Sequence, residues 1–454
     1  MKNKKYTVSK TFCILPWIHL STRPNGHLRC CCTACASSAG PVVTKPEVGY
    51  IKNPNGRPAN LNTCDLLTAW NNDYMKNIRL AMMHGDTPPS CEKCFKEEKA
   101  GFQSKRIWET KIWSERLDVK KLISDTKEDG SVFPKISYVD LRMGSKCDLK
   151  CIMCSPHDSS EWISDWYKLY PKIESKRLKQ IMMWNNKGRT DDGGYDWHKN
   201  NKQFWKQFYK QIPNLKQLYF AGGEPLIIDE HYDLLRECIK QGYAKNMELR
   251  YNSNGLNLPE NLFELWGHFK KVKFGFSLDS VDKMNYYIRY PSDWKMIVKN
   301  LKRLDNTPDN IEVTIACAVQ ILNIFYIPDF IKWKLGMNFK KINTWPMGAG
   351  LVNSHFVYHP AHLNVKVLPL WFKEKIRSKF EEFYVWLRDE HSSDDEFISH
   401  PYGIKRLKAM VDFVDSENWS SLMPEFREYI KKMDKIRGTK FKETFPEMKD
   451  LLLK

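Results

Sequence analysis

The placing of thirteen cysteines constrains this 454-residue chain more than any other feature. Cys13, Cys30, Cys31, Cys32, Cys35, Cys64, Cys91 and Cys94 lie in the first hundred residues, Cys147, Cys151 and Cys154 follow as a group, and Cys238 and Cys317 stand apart. The count is odd, the chain is large, and its basic start has no apolar stretch behind it, so a secreted disulfide framework fits poorly. No apolar run approaches the roughly 18 residues that span a bilayer. The expectation is a cytoplasmic protein without a membrane partner, whose grouped thiolates hold metal. Cys64, Cys238 and Cys317 read as buried thiols.

With 42% hydrophobic and 13% aromatic residues the chain can bury large cores, and its length suits two or three domains. A net charge of +18 favours an anionic partner and says nothing about fold. Residues 1–130 are Cys-, Pro- and Asn-rich, then helical, and end in the polar turn Asp125-Thr-Lys-Glu-Asp-Gly130. Residues 131–350 alternate strands with helices. The predicted strands are Ile136–Arg142, Gln217–Phe220, Glu248–Asn252, Lys273–Leu278, Glu312–Val319 and Lys341–Trp345, with helices such as Glu230–Gln241 and Asp293–Leu304 between them. That alternation predicts an α/β fold with a parallel sheet, open or curled into a partial barrel. Residues 351–454 read as a helical extension including Lys373–Arg388 and Tyr402–Val414, interrupted by the acidic turn Asp394-Asp395-Glu396.

In a barrel-type sheet, chemistry sits on the loops after the strands. Directly after the first predicted strand the chain reads Gly144-Ser-Lys-Cys147-Asp-Leu-Lys-Cys151-Ile-Met-Cys154, a C-x3-C-x2-C loop. A closed structural zinc site or an ordinary [4Fe–4S] cluster takes four protein ligands. Three thiolates leave one metal corner open for substrate or cofactor. The plainer alternatives are a zinc loop completed by a distant His or Cys, and cysteines packed as small hydrophobes.

This spacing resembles the signature of the radical S-adenosylmethionine (SAM) superfamily, although Met153 stands where an aromatic residue is common. The resemblance implies a partial (β/α)6 TIM-type barrel, with Cys147, Cys151 and Cys154 binding three irons of a [4Fe–4S] cluster and S-adenosyl-L-methionine chelating the fourth. Reductive cleavage would then give methionine and a 5′-deoxyadenosyl radical that abstracts hydrogen from a substrate. Later strand ends extend the likeness. Gly222-Gly223-Glu224-Pro225 resembles the GGEP motif that contacts the methionine amino group. Asn252-Ser253-Asn254-Gly255 resembles a T-N-G turn with Ser253 in the Thr position. Ser277-Leu-Asp279 resembles an S-x-D motif whose Ser reaches the ribose or carboxylate, and Arg289 resembles an arginine paired with the SAM carboxylate.

Upstream, Cys13-Ile-Leu-Pro16, Gly26-His-Leu-Arg-Cys30-Cys31 and Cys91-Glu-Lys-Cys94 resemble the C-x2-P…G-x4-C half of twitch and SPASM auxiliary-cluster domains, and the stretch from Trp70 through Glu97, Glu98 and Ser104-Lys-Arg106 resembles a twitch-containing subgroup. This implies an N-terminal domain with an auxiliary [4Fe–4S] cluster on Cys13, Cys31, Cys91 and Cys94. Cys30, Cys32 or Cys35 could substitute for Cys31, and zinc is the alternative metal. His19 is expected to hydrogen-bond nearby without being a ligand.

From Trp166 to Lys210 the chain carries eleven Lys or Arg against four acids, interleaved with aromatics. Such a stretch can bind phosphates and stack bases, can dock an acidic peptide, or can simply be a helical cover with a solvated basic face. The expected function is a radical SAM oxidoreductase or maturase acting on a peptide or protein side chain, with reduced ferredoxin or flavodoxin as electron donor. Modification of an RNA, nucleotide or sugar is the alternative, and a non-enzymatic zinc or iron–sulfur nucleic-acid-binding protein is the remote one. No residue is identified as a catalytic acid or base, and the sequence does not fix the oligomeric state.

Overall fold

The computed structural model describes residues 8–34, 49–99, 103–186, 194–342, 352–391 and 403–453. Two compact units divide the chain. The first takes Met1–Ser145, Gly188–Arg250 and His268–Lys270, and the second takes Lys146–Lys187, Tyr251–Gly267 and Lys271–Lys454. Among the described residues eight strands occur: β1 His19–Thr22, β2 Leu28–Arg29, β3 Tyr138–Leu141, β4 Gln217–Phe220, β5 Glu248–Ser253, β6 Lys271–Ser277, β7 Ile311–Val319 and β8 Asn353–Phe356. Their order in the sheet is β2-β1-β3-β4-β5-β6-β7-β8. The expected α/β class holds, with helices between successive parallel strands from β3 onward.

In the first unit β1 is antiparallel to β2 and parallel to β3, and β3 is parallel to β4. Pairing aligns His19 with Tyr138 and Gln217, and Ser21 with Asp140 and Tyr219. Because side chains alternate across a strand, these polar residues share one face while Leu20, Val139, Leu141, Leu218 and Phe220 share the apolar other. The helix Asp73–His84 starts where the Asn72 side chain accepts from Met75 N–H and stops at Gly85, whose φ of 89° accepts a left-handed turn. It carries Arg79, fully buried, whose guanidinium donates to the carbonyls of Pro16, Trp70 and Gly130 and to Asn71 Oδ1. One cation thus ties the chain before Cys30 to the polar turn expected at 125–130.

In the second unit β6, β7 and β8 are parallel. The helix Trp294–Asp305 begins with Asp293 accepting from Met296 N–H and buries Ile297, Leu301 and Leu304, as its spacing predicts. The predicted strand Lys341–Trp345 is corrected in part. Lys341 and Ile342 form a bend and turn, residues 343–345 lie outside the described residues, and β8 comes instead at 353–356. Lys341 is held there by polar contacts to Asp305, Thr307 and Pro308, which a strand pairing would have to give up. The C-terminal helices span Leu370–His391, Gly403–Asp415 and Met423–Arg437. The acidic turn at 394–396 lies outside the described residues. Among the described residues no helix is long and apolar enough to cross a membrane.

Candidate functional site

The cysteine loop belongs to the second unit and is pinned along its backbone. Lys150 N–H donates to Tyr290 O and Ile152 N–H to Ile288 O, both at 2.7 Å. The Trp162 indole donates to Cys151 O at 2.7 Å, the Tyr429 hydroxyl to Ile152 O at 2.7 Å, and Ser159 Oγ to Leu149 O at 2.6 Å. Cys151 is buried, and Cys147 and Cys154 are half-buried. A hydrogen bond with Cys154, helped by the nearby Arg289 and Arg437 charges, holds the Cys151 thiol below its ordinary range despite burial.

Asp148, inside the loop, joins it to the turn after β5. Its two carboxylate oxygens accept from Asn254 Nδ2 at 2.6 Å and Asn257 Nδ2 at 2.8 Å. Within that turn Ser253 Oγ accepts from Gly255 N–H, and a Cβ on Gly255 would lie 2.2 Å from the Phe276 ring. Ser277 ends β6 half-buried. Asp279 is fully buried, and Arg289 grips it through Nε at 2.8 Å and Nη2 at 3.1 Å, while Ala318 N–H donates to it at 2.7 Å. Arg289 Nη1 faces the other way, 3.9 Å from Cys151 Sγ. The second unit therefore gathers Cys147, Cys151, Cys154, Ser253, Asp279 and Arg289. The sequence left unread that Asp279 and Arg289 pair with each other; their places just after β6 and at the end of the helix Asp282–Ile288 were the available signal.

The Gly222–Pro225 turn belongs to the first unit. Gly222 has φ 79°, and a Cβ there would meet the Arg142 side chain at 2.9 Å, so the backbone runs close to its neighbour. Glu224 is buried and accepts from Leu226 N–H, and Pro225 opens the short helix Pro225–Ile227.

Also in the first unit, Cys13, Cys30, Cys31, Cys91 and Cys94 line one recess of about 440 Å³, counting its part open to solvent. Cys32 is not among its lining residues, and Cys35 lies outside the described residues. The Ser104–Lys105–Arg106 stretch explains the closure. Arg106 donates to Phe12 O at 2.8 Å, to Lys10 O at 2.9 Å and to Glu98, and Ser104 also donates to Glu98, so the residues before Cys13 are tied to the helix Glu92–Lys99 that carries Cys94. Against the cost of burial, Arg106 and Ser104 hold the Glu98 carboxyl below its usual range. Burial pushes the Cys30 thiol up to about 11 and Cys91 up to about 12, and raises Cys13 and Cys94 as well. Thiols this high take a metal only with release of protons.

His19 is buried, with Nδ1 3.2 Å from Tyr138 O. Cys238 and Cys317 are buried as expected, whereas Cys64 is half-buried. Among the described residues no group of three or more His, Cys, Asp or Glu is arranged as a single-ion metal site. Of the described aromatics between Trp166 and Lys210, Trp166, Trp197, Phe204 and Phe208 are buried, and Tyr167 is exposed. Those buried rings are core, matching the plainer reading of that stretch.

Polar groups thus collect where strands of a parallel α/β sheet end, the place where such folds carry their sites. Residues 141–315 match the Radical SAM superfamily model, a superfamily whose enzymes work with a [4Fe–4S] cluster and S-adenosylmethionine. No curated protein matches the chain. Among solved structures, Streptococcus suis SuiB bound to S-adenosylmethionine is similar at 14% identity and TM-score 0.31, over 74% of this chain and 67% of its own. Streptococcus suis SuiB bound to precursor peptide SuiA is similar at 15% identity and TM-score 0.27, over 63% of this chain and 62% of its own. TYW1 with a lysine-pyruvate adduct is similar at 16% identity and TM-score 0.23, over 44% of this chain and 58% of its own. The chain thus spans less than two thirds of the last two chains. At these scores the likenesses are distant.

Proposed function

We propose that this chain is a radical SAM oxidoreductase or maturase that modifies a peptide or protein side chain, with its SAM-binding cluster on Cys147, Cys151 and Cys154. The observation that carries the reading is the three-thiol loop, held open by backbone bonds to residues 288–290 and carrying the Arg289 guanidinium beside Cys151. The donor set suits the group: three sulfurs in a buried, cation-flanked loop match an anionic cluster with one free corner. When bound, cluster and SAM supply reductive cleavage of the sulfonium to a 5′-deoxyadenosyl radical.

The chain's residues hold and orient. In this reading Ser253, Ser277, Asp279 and Arg289 form the polar side of the SAM site in the second unit. Asp279 orients Arg289, leaving only Nη1 for a carboxylate. Gly222, Gly223, Glu224 and Pro225, in the first unit, carry the likeness to the motif that binds the SAM ammonium, with Glu224 as its carboxylate. Cys13, Cys91 and Cys94, with Cys31 or its neighbour Cys30, suit an auxiliary [4Fe–4S] cluster, and Arg106 at the recess offsets its charge. A low-potential donor such as reduced ferredoxin or flavodoxin supplies the electron. Burial of Trp197, Phe204 and Phe208 withdraws the rings that a nucleic-acid substrate would stack on, which favours the peptide reading.

Iron and sulfide per chain on anaerobically prepared protein, beside the Cys147→Ala/Cys151→Ala/Cys154→Ala variant, test this. About eight irons falling to about four, at four per cluster, with loss of 5′-deoxyadenosine formation, is the expected result. Retained 5′-deoxyadenosine formation in the variant sinks the assignment.

A further inference from the structure

We propose that Arg437, at the end of the helix Met423–Arg437, is a positioning residue for the cysteine loop whose buried charge also favours electron uptake at that loop. The inference rests on the reading that Cys147, Cys151 and Cys154 hold a cluster.

The geometry places Arg437 against three groups that grip the loop or its flank: Asp165, Trp162 and Tyr290. Its Nε lies 2.8 Å from Asp165 Oδ2, and Asp165 Oδ1 in turn lies 2.9 Å from Lys150 Nζ in the loop. Its guanidinium carbon sits 4.8 Å from the centre of the Trp162 ring, and the Trp162 indole donates to Cys151 O. It also sits 5.1 Å from the Tyr290 ring, and Tyr290 O accepts from Lys150 N–H. The same helix sends the Tyr429 hydroxyl to Ile152 O. Farther along, Asp434 accepts from the Tyr287 hydroxyl and from Phe441 N–H, which fixes the helix end beside residues 287–290.

Two features go beyond scaffolding. The Arg437 side chain is 2% exposed, yet Nη1 and Nη2 have no hydrogen-bond partner among the described residues. A buried guanidinium that leaves two nitrogens unused is costly unless something anionic lies within its field. On the proposed reading that anion is the cluster held by the loop, whose backbone is bound at Cys151 O by Trp162 and at Lys150 N–H by Tyr290, the two residues whose rings flank the guanidinium. In iron–sulfur sites, net charge and second-sphere donors set the reduction potential. Reduction adds one electron from an external low-potential donor and needs no proton from Arg437; a fixed positive charge makes that added negative charge less unfavourable. The C-terminal region thereby does more than cover the domain.

The test is a redox titration followed by electron paramagnetic resonance, reading the signal that changes on adding SAM, on anaerobic protein with iron counted in parallel. Arg437→Met keeps length and apolar packing but removes the charge. It is expected to retain iron while the reduced-to-oxidised ratio at fixed ambient potential falls by about tenfold, a midpoint ~59 mV lower for a one-electron couple. Arg437→Lys, which keeps the charge, is expected to stay nearer the wild type. Asp165→Asn removes the opposing charge and is expected to move the midpoint upward. A merely structural clamp would not produce opposite shifts from two partners of one ion pair. Equal midpoints in wild type and Arg437→Met, or shifts of the same sign in Arg437→Met and Asp165→Asn, overturn the inference alone. If Arg437→Met does not fold, the sign of the Asp165→Asn shift decides. No SAM-responsive signal in the wild type overturns the cluster reading and this inference together.

Discussion

Replacing Asp279 by asparagine removes one negative charge and almost no volume. In the folded chain Asp279 is fully buried, its Oδ2 ion-pairs with Arg289 Nε at 2.8 Å, and its Oδ1 accepts from Arg289 Nη2 at 3.1 Å and from Ala318 N–H at 2.7 Å. The asparagine carbonyl can keep the Ala318 bond, so that part costs little. The Arg289 guanidinium, itself only 12% exposed, is left without its counter-charge. Breaking one partner of a buried ion pair costs about 3–5 kcal/mol. Asp279→Asn should therefore lower the urea midpoint of metal-free protein and weaken SAM binding, because Arg289 loses the partner that aims Nη1 toward Cys151. Adding Arg289→Met to Asp279→Asn should recover most of the stability, since replacing both charges is often neutral, and recover none of the SAM affinity. Urea melts and SAM titrations of the two single variants and the double variant make the check. A single variant within about 0.5 kcal/mol of the wild type, the size of ordinary surface changes, would refute the role assigned to the pair. So would a double variant less stable than the sum of the two.

Gly255→Ala should destabilise by about 1–3 kcal/mol, as overpacking does, because the new Cβ would sit 2.2 Å from the Phe276 ring at a φ of 68°; an unchanged thermal midpoint would contradict the close approach. Burial lowers His231 and His362 to about 3 and His19 to about 4, from an ordinary 6.5. Their folded forms are depressed, so below about pH 6.5 the unfolded chain binds the extra protons and stability is lost on acidification toward about pH 3. At 1.36 kcal/mol per unit the loss is on the order of 5 kcal/mol for His231 or His362 and about 3 kcal/mol for His19; His362→Leu should flatten the acid limb of midpoint against pH, and an unaltered limb would refute the assignment. Cys32→Ser should leave the iron content at the wild-type level, since Cys32 does not line the cysteine recess; loss of iron equal to that of Cys91→Ser would place Cys32 among the ligands.

Features fixed by neighbours along the chain were legible in the sequence. The C-x3-C-x2-C loop after β3, the glycine and serine turns at later strand ends, the capped helices Asp73–His84 and Trp294–Asp305, and the β–α alternation all depend on spacing and local backbone preference. Five of the six predicted strands lie where periodicity puts them. Only the tertiary structure decided the rest, because burial and charge pairing join residues far apart in the chain. β1 and β2 are four and two residues long, too short to announce themselves, and β1 exists through pairing with β3 more than a hundred residues later. Which members of the Cys30–Cys32 triplet face the recess depends on how β2 ends and where Arg106 draws the chain, which triplet spacing does not encode. Basic residues interleaved with aromatics suggest a ligand surface, yet packing turns Trp197, Phe204 and Phe208 inward. Tyr429 reaches the cysteine loop at Ile152 from 277 positions away, and Arg437 reaches Asp165, on the helix after that loop, from 272 positions away. A sequence shows which side chains are available; the folded chain sets which charges lose water and must find each other.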